Sequence, residues 1–156
     1  MFEVFGFYKF IKISYLRKNQ KVLFETLKKK NIRGTIIISK EGVNGTISGQ
    51  AAEIKFTINN LKKTLKFKEF NSSNISKSSF QPFHKPKVKI KKEVVPMNLT
   101  LNSRIKKKDS HVDPIKWNKL IKEKSTVLID ARKPFEYEVG TFKGAINPDV
   151  DNFRDF

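Results

Sequence analysis

The sequence predicts an α+β chain in which two amphipathic helices alternate with short strands, ahead of a smaller segment of different composition. Three observations point there. Apolar residues recur at helical spacing over residues 16–27 and again over 54–65, the period of a helix with one buried face. Runs rich in aromatic and β-branched residues precede, separate and follow these two stretches. The charge is uneven as well. Residues 1–108 hold 25 Lys and Arg against 6 Asp and Glu, whereas residues 109–156 hold 8 against 9, so a compositional boundary lies between them.

Taken in order, Tyr8-Lys9-Phe10-Ile11-Lys12-Ile13 reads as the first strand. Ser14 is placed to cap the helix that follows. Its apolar stripe is Leu16, Leu23, Phe24 and Leu27, with lysines on the other face and Asn31 near its end. Arg33 to Ser39 reads as a buried strand. The segment Lys40-Glu41-Gly42-Val43-Asn44-Gly45 carries residues that tolerate positive φ. Thr46-Ile47-Ser48 then returns, so a β-hairpin with its turn over 40–45 is expected. Ile54, Ile58, Leu61 and Leu65 mark the second helix. Residues 71–79 are rich in Ser and Asn and read as a loop or a weak edge strand. In Lys87-Val88-Lys89-Ile90-Lys91 the strict alternation puts Val88 and Ile90 inside and the lysines outside. The resulting β-α-β-β-α-β order, with one uncertain extra strand, is the ferredoxin-like split βαβ arrangement. It packs two helices on one face of an antiparallel sheet, and we assign it to residues 1–96.

Residues 97–112 are polar and basic and read as a linker. The second unit, residues 113–156, opens with Asp113 as a helix cap and Pro114 at the first helical position, followed by Trp117, Leu120 and Ile121. Ser125 to Asp130 reads as a buried strand ending on an acid. This unit is too short to bury a core by itself.

Composition narrows the function classes. The chain has 156 residues, 38% hydrophobic with 14 Phe, enough for a packed core. No apolar run reaches the roughly 18 residues of a membrane helix. The apolar start, Met1 to Phe5, lacks the basic region and cleavage site of a signal peptide, so a cytoplasmic protein is expected. There is no Cys, which excludes disulfides, thiolate metal sites and a cysteine nucleophile within these residues. His84 and His111 are isolated and read as surface residues, and no metal or other cofactor is identified. A formal charge of +18 attracts polyanions and favours salt-dependent nucleic-acid binding; a general lysine bias is the plain alternative. The RNA-binding candidates are Arg33, Lys85, Lys87, Lys89 and Lys91. Alternating lysines on a strand can track phosphates without reading sequence, and they also discourage edge-to-edge pairing. Phe80 and Phe83 stack bases or pack in the core, and core packing is the expectation. Glu41 and Asn44 touch RNA, face the second unit or simply shape the turn.

Two stretches carry a resemblance. Val127-Leu128-Ile129-Asp130-Ala131-Arg132, Glu136-Tyr137 and Gly140-Thr141-Phe142-Lys143-Gly144-Ala145 resemble the first signature of rhodanese domains, with Thr141 where most have His. Gly34-Thr35-Ile36, Glu41 to Gly49, Pro82-Phe83 and Lys87 to Val95 form the second stretch. Joined to Gly140-Thr141-Phe142 and Asn152 to Phe156, it is similar to the rhodanese-related tRNA uridine hydroxylase family over nearly the whole chain. The resemblance implies an acylphosphatase-like ferredoxin fold followed by a catalytic α/β rhodanese domain, of which residues 113–156 would be the first, incomplete part. It implies tRNA as partner and oxygen-dependent 5-hydroxylation of the wobble uridine, with molecular oxygen as co-substrate. It also implies an essential cysteine in a loop that would follow Phe156. The chain alone is therefore expected to be an inactive piece of the enzyme, whether a fragment or a truncated gene product.

Asp130 and Arg132 are the auxiliary site candidates, because they follow a strand where open α/β sheets place their sites. Either Arg132 lends positive charge near the cysteine loop, or the two form a pair that fixes the turn; Glu136 and Tyr137 read as structural. Acylphosphatase activity is not expected. Ile13-Ser14-Tyr15-Leu16-Arg17 lacks the glycine of a phosphate-cradling loop, and fold alone does not confer activity. The alternatives are a rhodanese-type sulfurtransferase, which needs the same cysteine, and a non-enzymatic basic RNA-binding module. The oligomeric state stays open.

Overall fold

The computed structural model describes residues 1–94, 112–152 and 155–156. The linker reading, apart from Val112, lies outside the described residues, as do His111, Phe153 and Arg154. The chain divides into Met1–Val95 and Pro96–Phe156.

The first unit runs β1 (Phe2–Phe10), α1 (Leu16–Lys29), β2 (Arg33–Ser39), β3 (Gly42–Gly49), α2 (Ala51–Leu65), β4 (Ser72–Ser78) and β5 (Pro86–Ile90). The five strands form one sheet in the order β4-β1-β3-β2-β5. Leu23 and Leu27 of α1 and Ile54, Leu61 and Leu65 of α2 pack with Phe5, Phe7, Ile36, Ile38, Val43, Ile47 and Val88 from one face of the sheet. Burial of each large apolar side chain contributes about 1.5–3 kcal/mol, so this single layer of contacts carries the fold. The ferredoxin-like α+β prediction holds, with four local corrections.

The first strand starts at Phe2, not Tyr8, and ends at Phe10. It lies between two antiparallel partners, from Glu3 opposite Gly49 to Phe10 opposite Gly42 on one side and from Phe2 opposite Ser78 on the other. Ladder bonding on both sides holds its whole length in the sheet. Ile11 and Ile13 leave the ladder but still donate to the carbonyls of Glu41 (2.9 Å) and Lys40 (3.0 Å).

Ser14 does not cap α1. Tyr15 stands at the N-cap with φ 54°, without a side-chain cap, and the Ser14 carbonyl accepts from Asn19 Nδ2 at 2.9 Å.

The hairpin turn is only Lys40-Glu41. Gly42 to Gly45 already belong to β3, and their glycines serve close approach rather than positive φ. A Cβ at Gly45 would stand 2.7 Å from the Thr35 carbonyl and 2.9 Å from the Phe7 ring.

The Ser/Asn-rich segment takes the second of its two expected forms, an edge strand, β4, antiparallel to β1; what changes is its place in the order. It completes the split βαβ unit. The alternating lysine strand is the added fifth, paired parallel to β2, so the sheet is mixed rather than antiparallel.

The second unit contains α3 (Pro114–Leu120) and α4 (Pro134–Val139). Asp113 caps α3 as expected, accepting from the Lys116 N–H at 2.9 Å. The buried strand expected over 125–130 is not formed. In its place a single parallel bridge joins Ile129 to Ile146, and Val127 and Ile129 are 68% and 51% exposed. A strand becomes buried only through neighbours on its edges and faces, and among the described residues this one has a single bridging partner.

Gly34 combines φ +119° with a close backbone approach, where a Cβ would stand 2.8 Å from Ile47 Cα. Gly34→Ala is expected to cost at least about 1–3 kcal/mol from backbone strain alone. It should be read as a lowered midpoint in urea denaturation followed by far-UV circular dichroism.

Candidate functional site

Opposite the helices the first unit has a second sheet face, covered at Ser48 by Gln81 and at Asn44 by Val94, and strand register decides what stands on the rest of it. Side chains alternate along a strand, so the residues beside the buried Ile36 and Ile38 face the other way. Parallel pairing sets Lys87 beside Thr35 and Lys89 beside Ile37. Antiparallel pairing extends these rows through Thr46 to Gly6 and through Asn44 to Tyr8.

The five RNA-binding candidates come together on one edge. Gly34 N–H donates to the Lys85 carbonyl at 3.1 Å, which brings Lys85 next to Arg33. Lys91 N–H donates to the Ile38 carbonyl at 3.0 Å at the other end. The four lysines are exposed and Arg33 is half-buried. The outer rim of this edge is blunted. Pro86 offers no N–H, and Gln20 Nε2 donates to the Val88 carbonyl at 2.7 Å, so a further strand finds fewer groups to pair with.

Glu41 and Asn44 have a task that sequence reasoning left open. The Glu41 carboxylate accepts the Val94 N–H at 2.7 Å, and Asn44 Nδ2 donates to the Val94 carbonyl at 3.5 Å. Val94 is 4% exposed, so the hairpin clamps the chain as it leaves β5. Phe80, expected in the core, is 68% exposed, because it follows the edge strand β4 instead of facing a helix. Phe83 is half-buried and His84 exposed.

In the second unit Asp130 and Arg132 are joined directly. Arg132 Nε donates to Oδ1 at 2.9 Å and Nη2 to Oδ2 at 2.6 Å, a forked pairing. Thr141 Oγ1 donates to Asp130 Oδ2 at 2.8 Å, and Arg132 Nη2 also donates to the Gly140 carbonyl at 2.6 Å. Asn147 Nδ2 brackets the same turn, donating to the carbonyls of Asp130 (2.9 Å) and Arg132 (2.8 Å). Tyr137 donates to the Ala145 carbonyl at 3.0 Å. The Arg132 hydrogen bonds, followed by that of Thr141, hold the Asp130 carboxyl well below the usual carboxylate range, and Arg132 is raised in turn. The arrangement fits a turn locked by a charge pair. Arg132 spends its Nε and Nη2 donors inside that lock. The motif spacing signals the Asp–Arg pair, but the part played by Thr141 and Asn147 follows only from the turn's three-dimensional closure.

A pocket of about 540 Å³ adjoins this turn, lined by Trp117, Asp130, Arg132, Thr141 and Phe142 among others. The Trp117 and Phe142 rings lie 5.5 Å apart. Among the described residues no cluster of His, Cys, Asp and Glu suits a metal ion, and no helix is long and apolar enough to cross a membrane.

Asp130 has a depressed folded-state pKa. Its contribution to the turn is therefore complete above the ordinary carboxylate pKa and is lost only as pH falls below that range. The Asp130 carboxyl carbon shift in NMR is expected to stay at its ionised value at a pH where a free aspartate is half protonated. In Arg132→Gln the titration should return toward the ordinary value.

Relatives match both units of the chain. It is 66% identical over 156 residues to the tRNA uridine(34) hydroxylase of Pelagibacter ubique (strain HTCC1062), covering 100% of this chain and 52% of that protein. It is 38% identical over 155 residues to the tRNA uridine(34) hydroxylase of Bartonella quintana (strain Toulouse), covering 99% and 51%. The chain thus spans about half the length of the curated relatives it matches. Among solved structures, acylphosphatase from Bacillus subtilis aligns with a TM-score of 0.43 at 10% identity, over 58% of this chain and 100% of that one. A family model described as the UPF0176 acylphosphatase-like domain matches residues 2–94, more than half of the sequence, and the chain belongs to that family.

Proposed function

We propose that this chain supplies the tRNA-docking part of a tRNA wobble-uridine hydroxylase. The observation that carries the reading is the 66% identity, along all 156 residues, to a protein named tRNA uridine(34) hydroxylase. In this reading residues 1–96 form the docking domain, 97–112 a linker and 113–156 the beginning of a rhodanese-like domain. The reaction is oxygen-dependent 5-hydroxylation in the cytoplasm, with molecular oxygen as co-substrate.

The chain contains no Cys, so what these residues contribute is binding and positioning. Arg33, Lys85, Lys87, Lys89 and Lys91 would meet the phosphate backbone. Such contacts set orientation and leave base identity to other groups. Asp130, Arg132 and Thr141 would hold the turn beside the pocket in one shape, so that a reacting group brought there meets fixed walls. Arg132 is then a positioning residue: its charge is already matched by Asp130, and removing it would loosen the turn.

Binding of bulk tRNA, followed by mobility shift at low and moderate salt, tests the docking role. The wild-type chain is expected to bind with an affinity that falls steeply as salt rises. Replacing Lys87 and Lys89 together by Ala should weaken binding and flatten the slope of log affinity against log salt by about 2. Binding that ignores salt, or none at low salt, removes the docking role.

A further inference from the structure

The lysine edge explains attraction to any polyanion, but it does not account for the rest of the face beside it. Tyr8 is 37% exposed, and its ring meets Phe10 edge-on at 5.7 Å. Both rings stand on the face away from the helices, because Phe5, Phe7 and Ile47 take the alternate positions toward them. On the outer side of β1, Ser72 and Asn74 of β4 lie opposite Tyr8 and Gly6, and both are exposed. The absence of a side chain at Gly6 lets Asn74 lie over the strand; a Cβ there would meet Asn74 Oδ1 at 2.5 Å. Between Tyr8 and the lysines stand two uncharged rows: Thr46 and Thr35, of which Thr46 is exposed, and Asn44 and Ile37, where Val94 is held against Asn44. The face is therefore graded, from rings and amides, through hydroxyls, to ammonium groups.

We infer that the exposed part of this sheet face is a platform for unpaired nucleotides of an RNA strand, with a base stacked on Tyr8 and the backbone led past Thr46 and Thr35 to Lys87 and Lys89. The inference rests on the RNA-docking reading above and goes beyond it by selecting single-stranded over paired RNA. A duplex asks only for charge, since its bases are already stacked. An exposed ring on a sheet is useful only to a base with a free face, and amide and hydroxyl groups beside it can bond the base edge. The dimensions agree. Tyr8 and Lys89 share a row and are separated by three strand spacings, about 14 Å. Ring and ammonium group therefore engage different parts of the same strand. Along β5 the lysines recur every second residue, about 6.6 Å, at right angles to the row that leads to them from Tyr8.

The test uses the full chain and two probes: a labelled single-stranded RNA of about ten nucleotides and the same sequence as a duplex, read by fluorescence anisotropy. Tyr8→Ala is expected to lower single-strand affinity about tenfold and to leave duplex affinity unchanged. Tyr8→Phe should keep wild-type binding, and the Lys87/Lys89 double alanine variant should weaken both probes. Ring-proton shifts of Tyr8 in the wild-type chain, followed by NMR as single strand is added, give a readout that does not depend on how a variant folds. Upfield movement at saturation supports stacking. Unmoved Tyr8 resonances with single strand bound, or equal loss of both probes in a folded Tyr8→Ala, overturns the platform and leaves the docking role intact. Failure of the wild-type chain to bind either RNA at low salt overturns both. A face that ignores RNA but is covered by another protein would also show as unmoved Tyr8 resonances with RNA.

Discussion

Register between β2 and its two neighbours is the constraint on which the first unit depends. A strand has two faces and a period of two, so a slip of one residue exchanges them completely. In the observed register Ile36 and Ile38 point to the helices with Val88, while Thr35 and Ile37 stand beside Lys87 and Lys89. A slip of β5 would drive two ammonium groups into an apolar layer and put Val88 in water, a cost far larger than any gain from alternative pairing. The glycines hold the strands at the required separation. Gly34 and Gly45 face carbonyls and an aromatic ring at distances no side chain tolerates. The same packing that stabilises the core therefore decides which residues are available to a polyanion.

Much of this was legible from the sequence because it is periodic. The stripes of α1 and α2 and the alternation of β5 each encode a buried face directly, and β2 matches residue for residue. What was not legible depends on partners distant in sequence. β1 extends to Phe2 because β3 and β4 flank it, and nothing local to Phe2 announces them. β4 buries almost no side chain; backbone pairing to β1 holds it, so its composition resembles a loop. The glycines of β3 look like turn residues for the same reason, since their purpose lies on the strands beside them. At the candidate site the Asp130–Arg132 pair was legible as a motif, whereas the clamp on Val94 joins residues about fifty positions apart.

The second unit obeys a different balance. Its described helices bury no side chain, and among the described residues local polar bonds around Asp130 define the turn. One carboxylate there receives bonds from a guanidinium, a hydroxyl and a backbone N–H. Three donors of different kinds thus converge on one side chain and fix its orientation. The pocket beside it takes its shape from this hub and from the Trp117–Phe142 contact.

The hold on Val94 also bears on chain entropy. A segment released at Ile90 would sweep a wide volume before meeting the sheet again. Fixed by Glu41 and Asn44, the chain up to Val94 stays against the hairpin instead, and the freedom it gives up is the entropy that those bonds offset. The tip of one hairpin thus acts as a moorage for the segment that runs beside it, and two side chains, 50 and 53 positions away in sequence, make it fast.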